Sequence, residues 1–255
     1  MSILDGVQRV LSLYAEGAVE LSFTDVATRL SLPKSTTSRL LNQMQRHGLL
    51  DQDASSRRYR PGLMLSMAAR AGMAGRPLDS ACRHVLARLS ERSGLTAYLS
   101  TLNQRETVVL QRLDGSHPVQ VLSPPGSRRA ASGTAMGRAL LSRLSEAEFT
   151  DLYGANPVLH LPMEGRDCPG SVGELAERVA RTRAERCAVA IDQAMPGIGA
   201  VASAVRDPLS GELRGLCLSF VSFQADAARV AQLREAVLEL VGALGRELND
   251  PFWQG

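Results

Sequence analysis

Three short hydroxyl side chains, Ser35, Thr36 and Thr37, are followed by Arg39 and, one helical turn later, by Gln43. Carried at the start of a helix, such a set can read the edges of bases in a major groove. Arginine matches guanine bidentately, glutamine matches adenine, and the short hydroxyls reach bases or phosphates. Lys34 precedes the run, and Arg57 and Arg58 follow it. Cations so placed hold phosphate, which sets register rather than sequence. A lone S-T-x-x-R is more often a solvated helix face with a capping serine, so the elements around it must decide.

Other chemistry is sparse. Cys82, Cys168, Cys187 and Cys217 are far apart with no C-x-x-C, which fits neither a disulfide frame nor a zinc knuckle. His47, His84, His117 and His160 include no i, i+4 pair for a metal. There is no G-x-S-x-G elbow, and Gly197-Ile198-Gly199 lacks the third glycine of a dinucleotide loop. A Cys168/His160 nucleophile pair is outweighed by the reading of Cys168 as a loop thiol beside Pro169-Gly170. No catalytic residue, metal or cofactor is expected.

The 255 residues are 44% hydrophobic, enough to bury a real core in one large domain or two ordinary ones. No apolar run is long enough to span a membrane, and Met1-Ser2-Ile3-Leu4-Asp5 does not open a secretory signal. Reduced thiols and no membrane segment point to the cytoplasm. Charge is uneven: residues 1–76 hold 10 Lys+Arg against 6 Asp+Glu, whereas the rest hold 19 against 20. The basic excess lies where the candidate reading helix lies.

Val7, Val10, Leu11 and Tyr14 recur at helical spacing up to Gly17. Phe23, Val26, Ala27 and Leu30 form one face of a second helix, capped by Ser22 or Thr24. Leu32-Pro33 forces a turn into a third helix, about Lys34 to His47, that stops at Gly48. Its inward face is Thr37, Leu40, Leu41 and Met44; its outward face is Ser35, Thr36, Arg39, Gln43 and Arg46. Leu49–Asp51 and Arg57–Arg60 then read as a hairpin around the turn cluster Asp53–Ser56. Two helices across a tight turn followed by a basic hairpin read as a winged helix-turn-helix over residues 1–61. Residues 62–76 read as a linker helix.

Residues 77–255 alternate in character and read as an α+β sensor-like domain. Helices are expected at Leu78–Arg92, Gly133–Ser142, Leu175–Ala184 and along the stripe Val230–Leu248. Strands are expected at Thr96–Leu102, Glu106–Leu113, Val119–Val121, Gly199–Arg206 and Leu213–Phe223.

The chain resembles the IclR family of bacterial transcriptional regulators over essentially its full length. The resemblance runs through Gly6–Leu11, Asp25-Val26-Ala27, Leu32–Leu41 (L-P-K-S-T-T-S-R-L-L), His47–Leu50 and Arg58–Gly62. It continues, more loosely, through Ala135–Leu141, Gly197, Val201-Ala202, Val205–Asp207, Gly211 and Leu216–Ser219. It implies a winged helix-turn-helix joined by a linker helix to a GAF-like mixed α/β effector-binding domain. It also implies homodimers or tetramers on palindromic double-stranded operator DNA, and control by a small organic effector, often an aromatic or carboxylic acid. A sensor acting through a protein partner, with a degenerate DNA-binding head, is the alternative; Arg39 and the basic hairpin argue against it.

The resemblance places Val121, Ala135, Met136, Ala190, Ile198, Ala200, Cys217 and Ser219 around the effector pocket. Most are apolar or small, so the lining suits an aromatic or partly apolar ligand. An acid group on it is expected at the helix start near Gly133-Thr134-Ala135, with one hydrogen bond from Ser219. Cys217 reads as a pocket thiol, not a redox sensor. Departures from the family pattern include Ser31 for a turn glycine, Arg186-Cys187 for Gly-Tyr, and Asp192-Gln193 for an acidic pair. Ala190 and Ala200 replace an aspartate and a cysteine that touch effector in some members. These losses argue against a very small, very polar effector such as glyoxylate.

Overall fold

The computed structural model describes residues 2–15, 17–73, 77–119, 121, 123–154 and 167–254. It divides into two compact units, Met1–Pro77 and Leu78–Gly255, each with its own core.

The first unit holds α1 (Ile3–Ala15), α2 (Phe23–Arg29), α3 (Lys34–Arg46), the antiparallel pair β1 (Leu50–Gln52) and β2 (Tyr59–Pro61), and α4 (Leu63–Met73). Apolar residues at helical spacing bury Val10, Leu13, Val26, Leu30, Leu40, Leu41 and Met44, and the hairpin adds Leu50 and Tyr59. Ser22 and Asp25 form a reciprocal capping box at the start of α2. The returning strand starts at Tyr59, not at Arg57 as the sequence suggested. Arg57 has φ +58 and belongs to the turn.

Ser31 has φ +52 and ends the turn between α2 and α3. The left-handed backbone of a glycine turn is therefore kept by a residue with a Cβ, at a steric cost of about 1–2 kcal/mol. Ser31→Gly is expected to stabilise the chain by up to about 1 kcal/mol, because glycine's greater unfolded entropy cancels part of the relief. Ser31→Val should destabilise it by at least about 1 kcal/mol. Denaturation midpoints by circular dichroism compare the three, and a valine variant as stable as the parent would refute the assignment.

The second unit is a six-stranded, wholly antiparallel sheet in the order β5-β4-β3-β8-β7-β6. The strands are β3 (Thr96–Asn103), β4 (Glu106–Leu113), β5 (Arg128–Ala130), β6 (Ala188–Ile191), β7 (Ile198–Arg206) and β8 (Leu213–Val221). Helices α5 (Pro77–Ser93) and α9 (Ala227–Glu247) cover one face, packing on Ala97, Leu99, Val201, Val205, Leu216, Leu218 and Phe220. Alternation at period two turns Tyr98, Ala188, Ala190, Ala202, Ala204 and Cys217 to the other face. There α6 (Ala135–Leu141) lies close to the strands. A Cβ on Gly215 would overlap the Met136 sulfur, and one on Gly137 would overlap the Ala131 carbonyl, so both glycines permit close approach. Beyond α6, α7 (Glu146–Tyr153) and α8 (Val172–Glu185) add a smaller core of Leu141, Tyr153, Leu175 and Val179.

Two strand expectations change. The strand at Val119–Val121 does not form among the described residues; Gln120 lies outside them. The chain there bends about His117, whose Nδ1 accepts the Val119 N–H at 3.2 Å, and the Val121 carbonyl accepts the Tyr98 hydroxyl instead of a ladder bond. The sheet edge is β5, which pairs with Glu106–Val108. The strand expected to reach Phe223 ends at Val221, and Ser222–Gln224 is a single tight turn of helix.

Candidate functional site

On α3, Lys34, Ser35 and Arg39 are exposed, and Thr36 and Gln43 are half-buried. Thr37 is fully buried, and its hydroxyl donates to the Pro33 carbonyl at 3.1 Å. This corrects its place among the DNA-reading residues. Thr37 shares the stripe of Leu40, Leu41 and Met44 and spends its polar group on the helix start. Gln43 is partly withdrawn against α1, and its buried Oε1 accepts no hydrogen bond among the described residues. Ser38 and Asn42, overlooked in the sequence, are exposed beside Arg39 and contact each other at 3.4 Å. The 3.6-residue period alone would have found them.

The helix is pinned from several sides. Arg9 of α1 donates to the Leu30 carbonyl at 2.6 Å, tying α1 to the end of α2. The Tyr14 hydroxyl donates to the Tyr59 carbonyl at 2.9 Å, and Leu21 exchanges backbone bonds with Tyr59, so the hairpin is anchored to the helices. At its tip, one oxygen of Asp53 accepts from the N–H and hydroxyl groups of both Ser55 and Ser56. Those donors hold the Asp53 carboxyl well below the usual carboxylate range. Arg57 and Arg58 are both exposed on this turn. Arg58 faces Asp25 at 3.8 Å in a solvated pair, an attachment weak enough for a phosphate to displace.

In the second unit, a cavity of about 100 Å³ lies on the α6 side of the sheet. Val121, Ala135, Met136, Ala190, Ile198, Ala200, Cys217 and Ser219 all line it. Val109, Ala194 and Met195 extend the apolar part. The polar part, which sequence reasoning missed, comprises Ser100, Thr107, Ser123, Ser127 and Arg129. The helix expected from Gly133 begins at Ala135. Its cap, Thr134, accepts the Gly137 N–H at 2.9 Å, and the helix is only seven residues long. The β6–β7 turn beside the cavity is held from both ends. Asp192 accepts from Gly197 N–H at 2.8 Å and the Ser222 hydroxyl at 2.7 Å. Buried Arg138 donates to Gln193 Oε1 and to the Val189 carbonyl, each at 2.7 Å. Burial lowers the Arg138 pKa to about 10, which leaves it charged at neutral pH.

Cys217, at the cavity wall, is pushed up to about 12 by burial, as are Cys82 and Cys187. Each holds its proton more tightly folded than unfolded. Their contribution is therefore complete below about pH 9 and falls as pH rises from there toward 12. Cys168 is half-buried, donates to the Gln193 carbonyl at 3.2 Å, and is also raised, chiefly by burial. His160, its conceivable partner, lies outside the described residues. With a disulfide reagent at mildly alkaline pH, the native protein should titrate Cys168 rapidly and the other three only after denaturant. More than one fast thiol would contradict the buried placement. Among the described residues no group of three or more His, Cys, Asp or Glu could hold a metal ion, and no helix is long and apolar enough to cross a membrane.

Two family models match. The bacterial transcriptional regulator IclR C-terminal domain matches residues 73–246, and the IclR helix-turn-helix domain matches residues 7–54. The HTH-type transcriptional regulator XynR of Escherichia coli (strain K12) is 30% identical over 257 residues, covering 98% of this chain and 100% of its own. The acetate operon repressor of Salmonella typhimurium is 25% identical over 236 residues, covering 91% of this chain and 84% of its own. Two crystal structures share the fold. One is a putative IclR transcriptional regulator from Silicibacter sp. TM1040, with TM-score 0.80, 20% identity, and coverage of 98% of this chain and 97% of its own. The other is an IclR homologue from Microbacterium hydrocarbonoxydans complexed with 4-hydroxybenzoate, with TM-score 0.80, 19% identity, and coverage of 97% and 99%.

Proposed function

The chain belongs to the IclR family of bacterial transcriptional regulators, and from that premise we propose a one-component regulator in which a small organic acid, aromatic or otherwise partly apolar, controls operator affinity. Residues 1–61 act as the DNA-binding domain, 62–76 as the linker helix, and 77–255 as the effector-binding and oligomerisation domain. A homodimer or tetramer engages a palindromic operator in the cytoplasm, without catalysis. The observation that carries this reading is the exposed Lys34–Ser35–Arg39 face of α3, followed in the same unit by the exposed basic turn Arg57-Arg58. Base edges are read by Arg39, with Ser35, Thr36 and Gln43 around it, and Lys34, Arg57 and Arg58 hold phosphate.

The effector side rests on the convergence of eight separate positions on one largely apolar cavity. That an IclR homologue of the same fold holds 4-hydroxybenzoate supports an aromatic acid here. An effector changes DNA affinity only by its differential affinity for two states of the protein.

Fluorescence anisotropy tests the proposal, with the DNA upstream of the chain's own gene as probe and a scrambled duplex as control across a salt series. Preference for the native duplex at physiological salt is the expected result. Equal, weak and steeply salt-dependent binding to both duplexes would move the protein-partner sensor ahead.

A further inference from the structure

We infer that Arg129 is the specificity-determining anchor of the cavity, selecting ligands that carry a carboxylate and orienting them with that group toward β5 and the apolar body toward α6 and β7. The inference rests on the effector reading above and names which end of the cavity takes the charge.

The argument starts from β5, where alternation separates two adjacent arginines. Arg128 turns away and pairs with Glu106 at 2.9 Å. Arg129 stands opposite Thr107, a cavity-lining residue, and so shares its face. The Thr107 hydroxyl donates to the Arg129 carbonyl at 3.3 Å, which holds that backbone against β4. Among the described residues the Arg129 side chain has neither an ion pair nor a hydrogen bond.

Its surroundings complete an acid-binding end. Ser100 is buried and its hydroxyl makes no hydrogen bond among the described residues, while Ser127 lines the same end. No carboxylate lines the cavity among the described residues, so nothing there competes for the guanidinium. Toward the other sheet edge, Ala190 of β6 and Ile198 and Ala200 of β7 offer only apolar surface. One cation, exposed at the rim of one end, and apolar walls at the other fit a small amphipathic acid. A planar guanidinium meets a carboxylate with two parallel hydrogen bonds, a match that an amide lacks.

The test uses full-length protein, as wild type, Arg129→Gln and Arg129→Lys. Calorimetric titration with benzoate, phenylacetate and salicylate, each beside its neutral amide at millimolar concentration, reads the selectivity. At least one acid should bind wild type while its amide does not. Arg129→Gln should weaken that acid by about 10–100-fold, with partial recovery in Arg129→Lys. Unliganded thermal stability and DNA binding should be unchanged in both variants. Equal binding of acid and amide, retention of acid affinity in Arg129→Gln, or absence of binding by every acid would each overturn the inference. Failure of unliganded wild type to prefer its operator would count against the regulator reading instead, because the titration does not involve DNA.

Discussion

Asp250→Ala is expected to destabilise the second unit by about 3–5 kcal/mol, the usual consequence of removing one partner from a buried ion pair. Asp250 is 1% exposed and Arg143, at 2.5 Å, is 8% exposed. The same carboxylate accepts the backbone N–H of Arg206 at 2.9 Å and of Phe252 at 3.2 Å. It therefore joins α6's end, the end of β7 and the C-terminal turn. Its loss strands a guanidinium that lies 3.7 Å over the Phe252 ring and leaves two N–H groups without their acceptor. The adjacent Trp253 is the single tryptophan, is buried, and donates to the Ala204 carbonyl at 3.2 Å. Its fluorescence during urea unfolding reports this transition directly. The exposed Asp51→Ala should shift the midpoint little. A loss below about 1 kcal/mol for Asp250→Ala would mean that Arg143 regains solvent, which the burial of both groups contradicts.

Arg39→Ala should weaken specific operator binding by about 10–100-fold, the worth of one good bidentate base contact. Binding to scrambled duplex should change far less, so the specificity ratio falls along with affinity. Arg57→Ala should act differently: affinity falls on every sequence and the salt slope drops by about one. The contrast follows from where the two residues stand, Arg39 on the exposed face of the reading helix and Arg57 on the hairpin turn. Anisotropy titrations over a salt series separate the cases. An Arg39→Ala protein that keeps its full preference for the operator would remove Arg39 from base readout.

The DNA-binding head was legible because its signals are local. Pro33, Gly48 and the stripe Leu40, Leu41, Met44 are read within one helix, and the structure follows them. Thr37 belongs both to the hydroxyl run and to the apolar stripe of α3, and only its burial decides between the two roles. In the second unit, β7 and β8 alternate cleanly and were legible. The segment Arg128-Arg129-Ala130 offers no apolar alternation, so periodicity marks neither β5 nor the face that Arg129 shares with Thr107. The start of α7 was missed although Ser145 and Glu148 form a capping box. The polar end of the cavity depends on which strands neighbour each other, and that is long-range information absent from local periodicity.

The strand order also has a bearing on how the chain folds during synthesis. β3, β4 and β5 form one meander and β6, β7 and β8 another, and the two join only where β3 meets β8. Thr96–Asn103 must therefore wait for Leu213–Val221, while the head needs nothing beyond its own neighbours. Contacts of such separation form late, and N-terminal units fold first on the ribosome. The DNA-reading head is expected to be native while the sensor is still being translated. Limited proteolysis of stalled nascent chains should find the head protected before β8 has emerged, and simultaneous protection of both units would count against this order. A chain released early would then carry a folded head with neither the cavity nor the unit proposed to oligomerise, so the fold makes translational completeness a condition of regulation.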